Sequence, residues 1–190
     1  MPVILSLDPA TGRPFAETPA TPAGELPQIM RQTREAQAAW AARPLVDRVR
    51  QIRTFQHLLF ERRQEMAALV TRENGKPLAE SLLTDVAVVL DFARYYADHA
   101  ERLLRPQRVR FGNLAFLGKR GRVYWDPLGV IAIISPWNYP LLLPFGELIP
   151  ALLAGNAVLL KPSEFTTRTA ALGIELLHAA GVPPAVCRLV

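Results

Sequence analysis

Between Ile134 and Glu164 the only charged side chains are Glu147, Lys161 and Glu164. Two polar groupings are set into that apolar run, Ser135-Pro136-Trp137-Asn138 and Lys161-Pro162-Ser163-Glu164. An apolar surface carrying a few placed amide, hydroxyl and charged groups is the chemistry of a cleft that binds and orients a cofactor or small ligand. Each grouping also has a plainer use. Asn138 suits the cap of a following helix, Trp137 suits a core, and Lys161 with Glu164 suits an exposed ion pair. Residue type alone leaves these readings open.

Other chemistries find less support. The histidines His57, His99 and His178 are far apart, and no Cys/His pair has zinc-ligand spacing, so no metal site is expected. Three scattered histidines set no geometry for a Ser-His-Asp arrangement either. Cys187 is the only cysteine, which excludes a disulfide within the chain and makes a reducing cytoplasm the expected compartment. It lies in the apolar run Val186 to Val190 without a neighbouring base, and reads as a small buried hydrophobe rather than a nucleophile. No G-x-G-x-x-G occurs.

The apolar run is not expected to span a membrane. Pro136, Pro140, Pro144 and Pro150, with Gly146 and Gly155, interrupt it well short of the roughly 20 helical residues a span needs. The opening MPVILSLDPATGRPF has no basic leader region and too short an apolar run for a signal peptide. A net charge of +5 is compatible with nucleic-acid binding and equally with many soluble proteins. Arg102, Arg105, Arg108, Arg110, Lys119, Arg120 and Arg122 form a basic stretch, but no aromatic residues alternate with them as a stacking platform requires. A solvated strand face or a subunit contact is the preferred reading, and no nucleic-acid partner is expected.

The elements that must position the two groupings follow an α/β grammar. "GVIAIIS" is a short β-branched run, apolar on both faces like a central parallel strand. "PLLLPFGELIPALLAGN" reads as a helix bent at Pro150 and closed by Gly155. "AVLLK", "TTRTAALGIELLHAAG" and "AVCRLV" read as strand, helix and strand, which together make a doubly wound parallel pattern. Ligands in such sheets bind beyond the carboxyl ends of the strands. Ser135–Asn138 follow the first strand and Lys161–Glu164 the second, so both are expected on one rim. Upstream, Asp8-Pro9 and Thr11-Gly12 mark a hairpin turn. A helix opening at Thr21-Pro22 buries Ile29, Thr33, Ala36 and Trp40. The next runs from Pro44 to Asn74-Gly75, with Leu45, Val49, Ile52, Leu59, Met66, Leu69 and Val70 as one stripe. Arg48, Arg50, Arg53, Arg62 and Arg63 are expected mostly on the opposite face. A third helix takes Leu83, Val86, Leu90, Ala93, Ala97 and Leu104 as its face. "RVYWDP" reads as a strand.

These stretches carry a resemblance. "GVIAIISPWNYP", "ALLAGNAVLLKPSE" and "AAGVPPAVCRLV" resemble the amino-terminal half of the NAD(P)-dependent aldehyde dehydrogenase superfamily. "DPATG", the arginine-rich helix and "ENGKPLAES" resemble it in the right order, so the likeness covers essentially the whole chain. The paired PWN and KPSE motifs are its most specific part. The resemblance implies an aldehyde-dehydrogenase-like α/β fold, with helices and a hairpin followed by the first half of a Rossmann-like parallel sheet. It implies a division into 1–105 (amino-terminal segment and helices of the cofactor domain), 106–127 (oligomerisation hairpin) and 128–190 (first βαβαβ part of the NAD-binding domain, truncated). It implies that Asn138 donates its amide to the substrate oxygen. Lys161 and Glu164, with Ser163 between them, would hold the adenosine ribose, and Ile134, Ser135, Pro136 and Trp137 would wall the cofactor. The Glu164 carboxylate favours NAD, with NADP possible. The implied activity is oxidation of an aldehyde to a carboxylic acid, in a homodimer or homotetramer. Leu141 to Phe145 are expected to line part of a substrate tunnel.

The family's nucleophilic cysteine and general-base glutamate are expected downstream, so this stretch by itself is expected to be an inactive, incomplete chain. Two other readings remain: an inactive fragment with an assembly or binding role, and a same-fold reductase of acyl phosphates or acyl thioesters.

Overall fold

The structure, a computed structural model, describes residues 3–113, 115 and 118–190. The chain opens on an antiparallel hairpin, β1 (Val3–Asp8) and β2 (Arg13–Pro19), turned at Asp8 where Thr11 and Gly12 donate back to its carbonyl. Helix α1 (Leu26–Ala41) follows, with Pro27 in its first turn where the missing N–H costs nothing. Thr33 and Trp40 of the expected face are buried, and Ile29 and Ala36 half-buried.

The expected Pro44–Asn74 helix is two helices, α2 (Leu45–Glu61) and α3 (Arg63–Asn74), broken at Arg62 with φ −97° and ψ 18°. The break leaves no trace in composition because the apolar stripe continues across it, from Ile52 and Leu59 to Met66 and Val70. Arg48 corrects the two-face picture. It is buried, and its guanidinium donates to the carbonyls of Leu153 (3.0 Å), Ala41 (3.1 Å) and Arg43 (2.6 Å). Those carbonyls are the unpaired acceptors at and just past two helix ends, where a cation is favoured. Gly75 ends α3 with φ 85°, a conformation only glycine adopts without strain.

The third expected helix contains an irregularity. A single turn, α4 (Leu78–Glu80), runs into a π-helical segment at Ser81–Val86 before α5 (Ala87–Leu104). A π turn carries an extra residue, so everything on one side of it is rotated by about 100° relative to a regular helix. Leu83, expected on the buried face, is therefore 66% exposed, while Ser81, Asp85 and Val86 point inward.

The short strands β3 (Gln107–Val109) and β4 (Gly121–Val123) pair antiparallel. Tyr124 to Pro127, expected to prolong β4, are outside any strand, and Leu114, Phe116 and Leu117 between β3 and β4 lie outside the described residues. The last part is a parallel sheet, β5 (Val130–Ile134), β6 (Ala157–Lys161) and β7 (Cys187–Leu189), in the order β5-β6-β7. Of these three strands β6 is the middle one, with every residue but Lys161 buried, and β5 is only partly buried. Asn156 joins the two strand starts, accepting from Gly129 N at 3.0 Å.

Helix α6 (Leu142–Leu153) crosses from β5 to β6 with Pro150 inside it, and α7 (Thr167–Ala179) crosses from β6 to β7. Two crossovers of the same hand, stepping the same way across the sheet, put both helices on one face. They meet where Phe145 packs over Gly173 so closely that a Cβ there would overlap the ring. Phe145 also stacks on Phe55 of α2, centroids 5.6 Å apart, which ties this layer to the long helices.

Candidate functional site

Register decides where the two polar groupings emerge. In the parallel pairing Ile134 stands opposite Lys161, and Ser135 N donates to the Lys161 carbonyl at 3.1 Å. Both segments therefore leave the sheet side by side at its carboxyl end, and β7 closes the same rim as Val190 N donates to the Leu160 carbonyl. Within the first segment Ser135 is buried, while Ile134, Pro136, Trp137 and Asn138 are exposed, Trp137 at 54%. Trp137 is thus no core residue.

Asn138 does not cap α6. The cap position is Leu141, with no side-chain cap bond. Among the described residues the Asn138 amide forms no hydrogen bond, so it stands on an otherwise fastened loop as an uncommitted donor and acceptor. In the second segment Lys161 and Glu164 are exposed, with Nζ and Oε2 3.7 Å apart. Ser163 is buried, and its Oγ accepts from Phe165 N at 3.3 Å, a local turn bond.

The residues that hold these segments come from the end of α3 and the π segment. Asn74 Nδ2 donates to the Trp137 carbonyl at 2.7 Å, and Lys76 Nζ donates to the Asn138 carbonyl at 3.0 Å. Lys76 also pairs with Asp85 Oδ2 at 2.8 Å and lies 4.2 Å from the centre of the Tyr139 ring. The other Asp85 oxygen accepts from Leu141 N and Leu142 N, at 3.2 and 3.3 Å, the first donors of α6. A carboxylate is favoured there by the helix dipole. Glu73 does the equivalent for α7. Its two oxygens accept from Arg168 N (2.8 Å) and Thr169 N (2.7 Å), and Ser6 Oγ of β1 donates to it at 2.5 Å. One turn of chain, Glu73 to Lys76, thus fastens the segments after both strands.

Sequence reasoning used this stretch as a helix stop and as part of the family likeness, and gave its side chains no role at the site. The missed signals were an acid two residues before a glycine cap, and an acid, Asp85, beside an apolar position of a helix face.

Two depressions flank the rim. One of about 480 Å³ is lined by Trp137, Glu164 and Phe165 with Asp8, Pro9 and Asn74. Another of about 270 Å³ is lined by Lys161, Pro162 and Glu164 with Ile4, Thr21 and Leu189. Glu164 borders both, whereas Asn138 borders neither. The expected tunnel residues are mostly core: Leu141, Pro144 and Phe145 are buried and only Leu143 is exposed.

Cys187 is wholly buried, and desolvation pushes its thiol up to about 12, so it is no thiolate near neutral pH. Among the described residues no cluster of His, Cys, Asp and Glu could hold a metal ion, and no helix is long and apolar enough to cross a membrane. The arginines Arg102, Arg105 and Arg108 are exposed around the start of β3, far in sequence from the rim.

Known proteins share this fold. The model of the aldehyde dehydrogenase family matches residues 2–190. A Mycobacterium ulcerans protein named "Putative succinate-semialdehyde dehydrogenase", with NADP(+) in its name, is 39% identical over 180 residues, 95% of this chain and 34% of the relative. An aldehyde dehydrogenase from Brucella melitensis biovar abortus 2308 superposes with a TM-score of 0.92 at 28% identity, over 100% of this chain and 38% of that one. PnpE, solved in complex with nicotinamide adenine dinucleotide, superposes with a TM-score of 0.90 at 28% identity, over the same shares of the two chains. The chain spans about a third of the length of the curated relatives it matches. The chain belongs to the aldehyde dehydrogenase family.

Proposed function

We propose that this chain supplies the oxyanion-binding amide and part of the cofactor cleft of a protein that oxidises an aldehyde to a carboxylic acid with NAD(P), NAD being preferred. The observation that carries the reading is the Ile134–Lys161 register, which sends the Asn138 segment and the Lys161–Glu164 couple out along one rim. As a nucleophile adds to an aldehyde, negative charge grows on the carbonyl oxygen. The Asn138 amide, uncommitted on a fixed backbone, donates to that oxygen and is worth more to the transition state than to the ground state.

The residues present fit a dinucleotide. Lys161 and Glu164 are exposed and only loosely paired at 3.7 Å, so their polar atoms remain available to a ribose diol. The carboxylate accepts from a 2′-hydroxyl and repels a 2′-phosphate, which favours NAD. Ile134, Pro136 and Trp137 offer exposed apolar wall, while Ser135 and Ser163 shape the two turns from beneath. When bound, the nicotinamide accepts the hydride lost by the substrate. Cys187, buried and protonated, takes no part in the addition.

The test is Asn138→Ala in the whole protein, assayed by nicotinamide reduction with succinate semialdehyde and with an aliphatic aldehyde. Turnover is expected to fall by about 10²–10³ while cofactor affinity changes little. Small, equal effects on both would overturn the oxyanion role. Consumption of reduced cofactor with an acyl thioester or acyl phosphate, without aldehyde oxidation, would move the reading to the reductive members of the fold.

A further inference from the structure

We propose that Lys76 and Asp85 are positioning residues for the Asn138 amide, a pair whose task is to hold the 137–142 segment rigid beneath it. The inference rests on the reading of Asn138 given above and deepens it. An amide that stabilises a developing charge helps only if it is already aimed when the charge appears, because reorganisation would consume the gain. Exposed loops do not aim side chains unaided. Asn138 is exposed and lies between Pro136 and Pro140, outside any strand or helix.

The structure supplies the missing constraint. The Trp137 carbonyl is taken by Asn74, the Asn138 carbonyl by Lys76, and the amides of Leu141 and Leu142 by Asp85. Lys76 and Asp85 are bonded to each other at 2.8 Å, with side-chain exposures of 8% and 0%. The Tyr139 ring covers the ammonium. A buried pair of this kind is weak evidence for stability, since taking both charges out of water offsets most of their attraction. What the pair does provide is geometry. Its partners are backbone groups of one short segment, the Asn138 carbonyl and the Leu141 and Leu142 amides, and the Asn138 side-chain amide carried by that segment is left without a hydrogen bond among the described residues.

The π segment supports the same assignment. A regular helix would bury Leu83, and the extra residue instead brings Asp85 to full burial. π turns are rare and cluster at functional sites. Here the turn rotates a carboxylate into place at the cost of exposing a leucine.

The test is a double-mutant cycle in the whole protein between Lys76→Met and Asn138→Ala, with Asp85→Asn as a second route. Backbone hydrogen exchange is followed at Leu141 and Leu142. Lys76→Met is expected to lower turnover by about 10- to 100-fold, the loss that a misplacement near 1 Å brings, with cofactor affinity within about twofold. Asp85→Asn is expected to speed exchange at Leu141 and Leu142 and to lower turnover similarly. In the Asn138→Ala background either change should cost almost nothing further, because the group being aimed is gone. Lys76→Arg, which keeps the charge, should retain most activity and covers the case in which Lys76→Met fails to fold.

A merely structural pair would reduce turnover by the same factor in both backgrounds, and that additive result overturns the inference while leaving the role of Asn138 intact. Unchanged exchange in Asp85→Asn overturns it as well. If Asn138→Ala by itself leaves turnover unchanged, the oxyanion reading fails and this inference fails with it.

Discussion

After β5 the chain is gripped by its backbone. Asn74 and Lys76 hold two carbonyls of the Trp137–Asn138 step, and Asp85 holds the first amides of α6. After β6 the grip falls one turn later, on the start of α7, where Glu73 takes the amides of Arg168 and Thr169. Lys161 and Glu164 themselves are left in solvent with a 3.7 Å pairing. The difference matches the two jobs proposed for them. A group that must meet charge at one point in a reaction gains from a fixed frame. Groups that clasp a flexible ribose can adjust on binding at small cost, as exposed charged side chains do. The two segments are nevertheless one mechanical unit, since α6 and α7 touch at Phe145 and Gly173.

The comparison can be broken most forcefully at Glu73. Glu73→Ala removes a buried carboxylate with three donors and is expected to cost about 4 kcal/mol, read from the denaturant midpoint. An unchanged midpoint would mean that α7 does not depend on this clamp. Gly173→Ala, which forces the Phe145 ring aside, is expected to cost about 2 kcal/mol, and Phe145→Leu in the same chain should recover part of it. Additive losses in that double variant would show that the two helices do not share the contact.

A third measurement probes the strand beyond both segments. The Cys187 thiol is raised from an ordinary value of 9.0 to about 12 by burial. The folded state therefore holds its proton more tightly than the unfolded state. The contribution is fully present below pH 9 and declines by about 1.4 kcal/mol per pH unit as pH rises from 9 towards 12. Comparison of unfolding midpoints of the native chain and Cys187→Val between pH 9 and 10.5 should show the steeper decline in the native chain. Identical slopes would contradict the burial argument.

The smallest effect on stability is expected at Glu164. Glu164→Gln should change it by less than about 0.5 kcal/mol, yet move cofactor preference towards NADP by about tenfold, removing one repulsive charge from the 2′ position. A stability loss larger than the selectivity change would make Glu164 a structural residue, more like Glu73 than its proposed role allows.

The amino-acid sequence by itself determined that there would be a rim and what would stand on it. β-branched runs with tight turns specify a parallel sheet, and parallel strands bring Asn138 and Lys161 to the same end. The Gly75 stop, the hairpin at Asp8–Gly12 and the buried stripe from Ile52 to Val70 were legible for the same reason: each is a local or periodic property of neighbouring residues. The tertiary structure alone decided what holds the rim. Glu73 and Asp85 act on groups 56 to 96 residues away in the chain, and no short-range pattern encodes such a bond. The π segment hid Asp85 further, because one extra residue in a turn shifts a helix face without altering the composition from which a face is read. Arg48 was misassigned on like grounds, since an arginine seeking the carbonyls of distant helix ends looks, in sequence, like any solvated arginine.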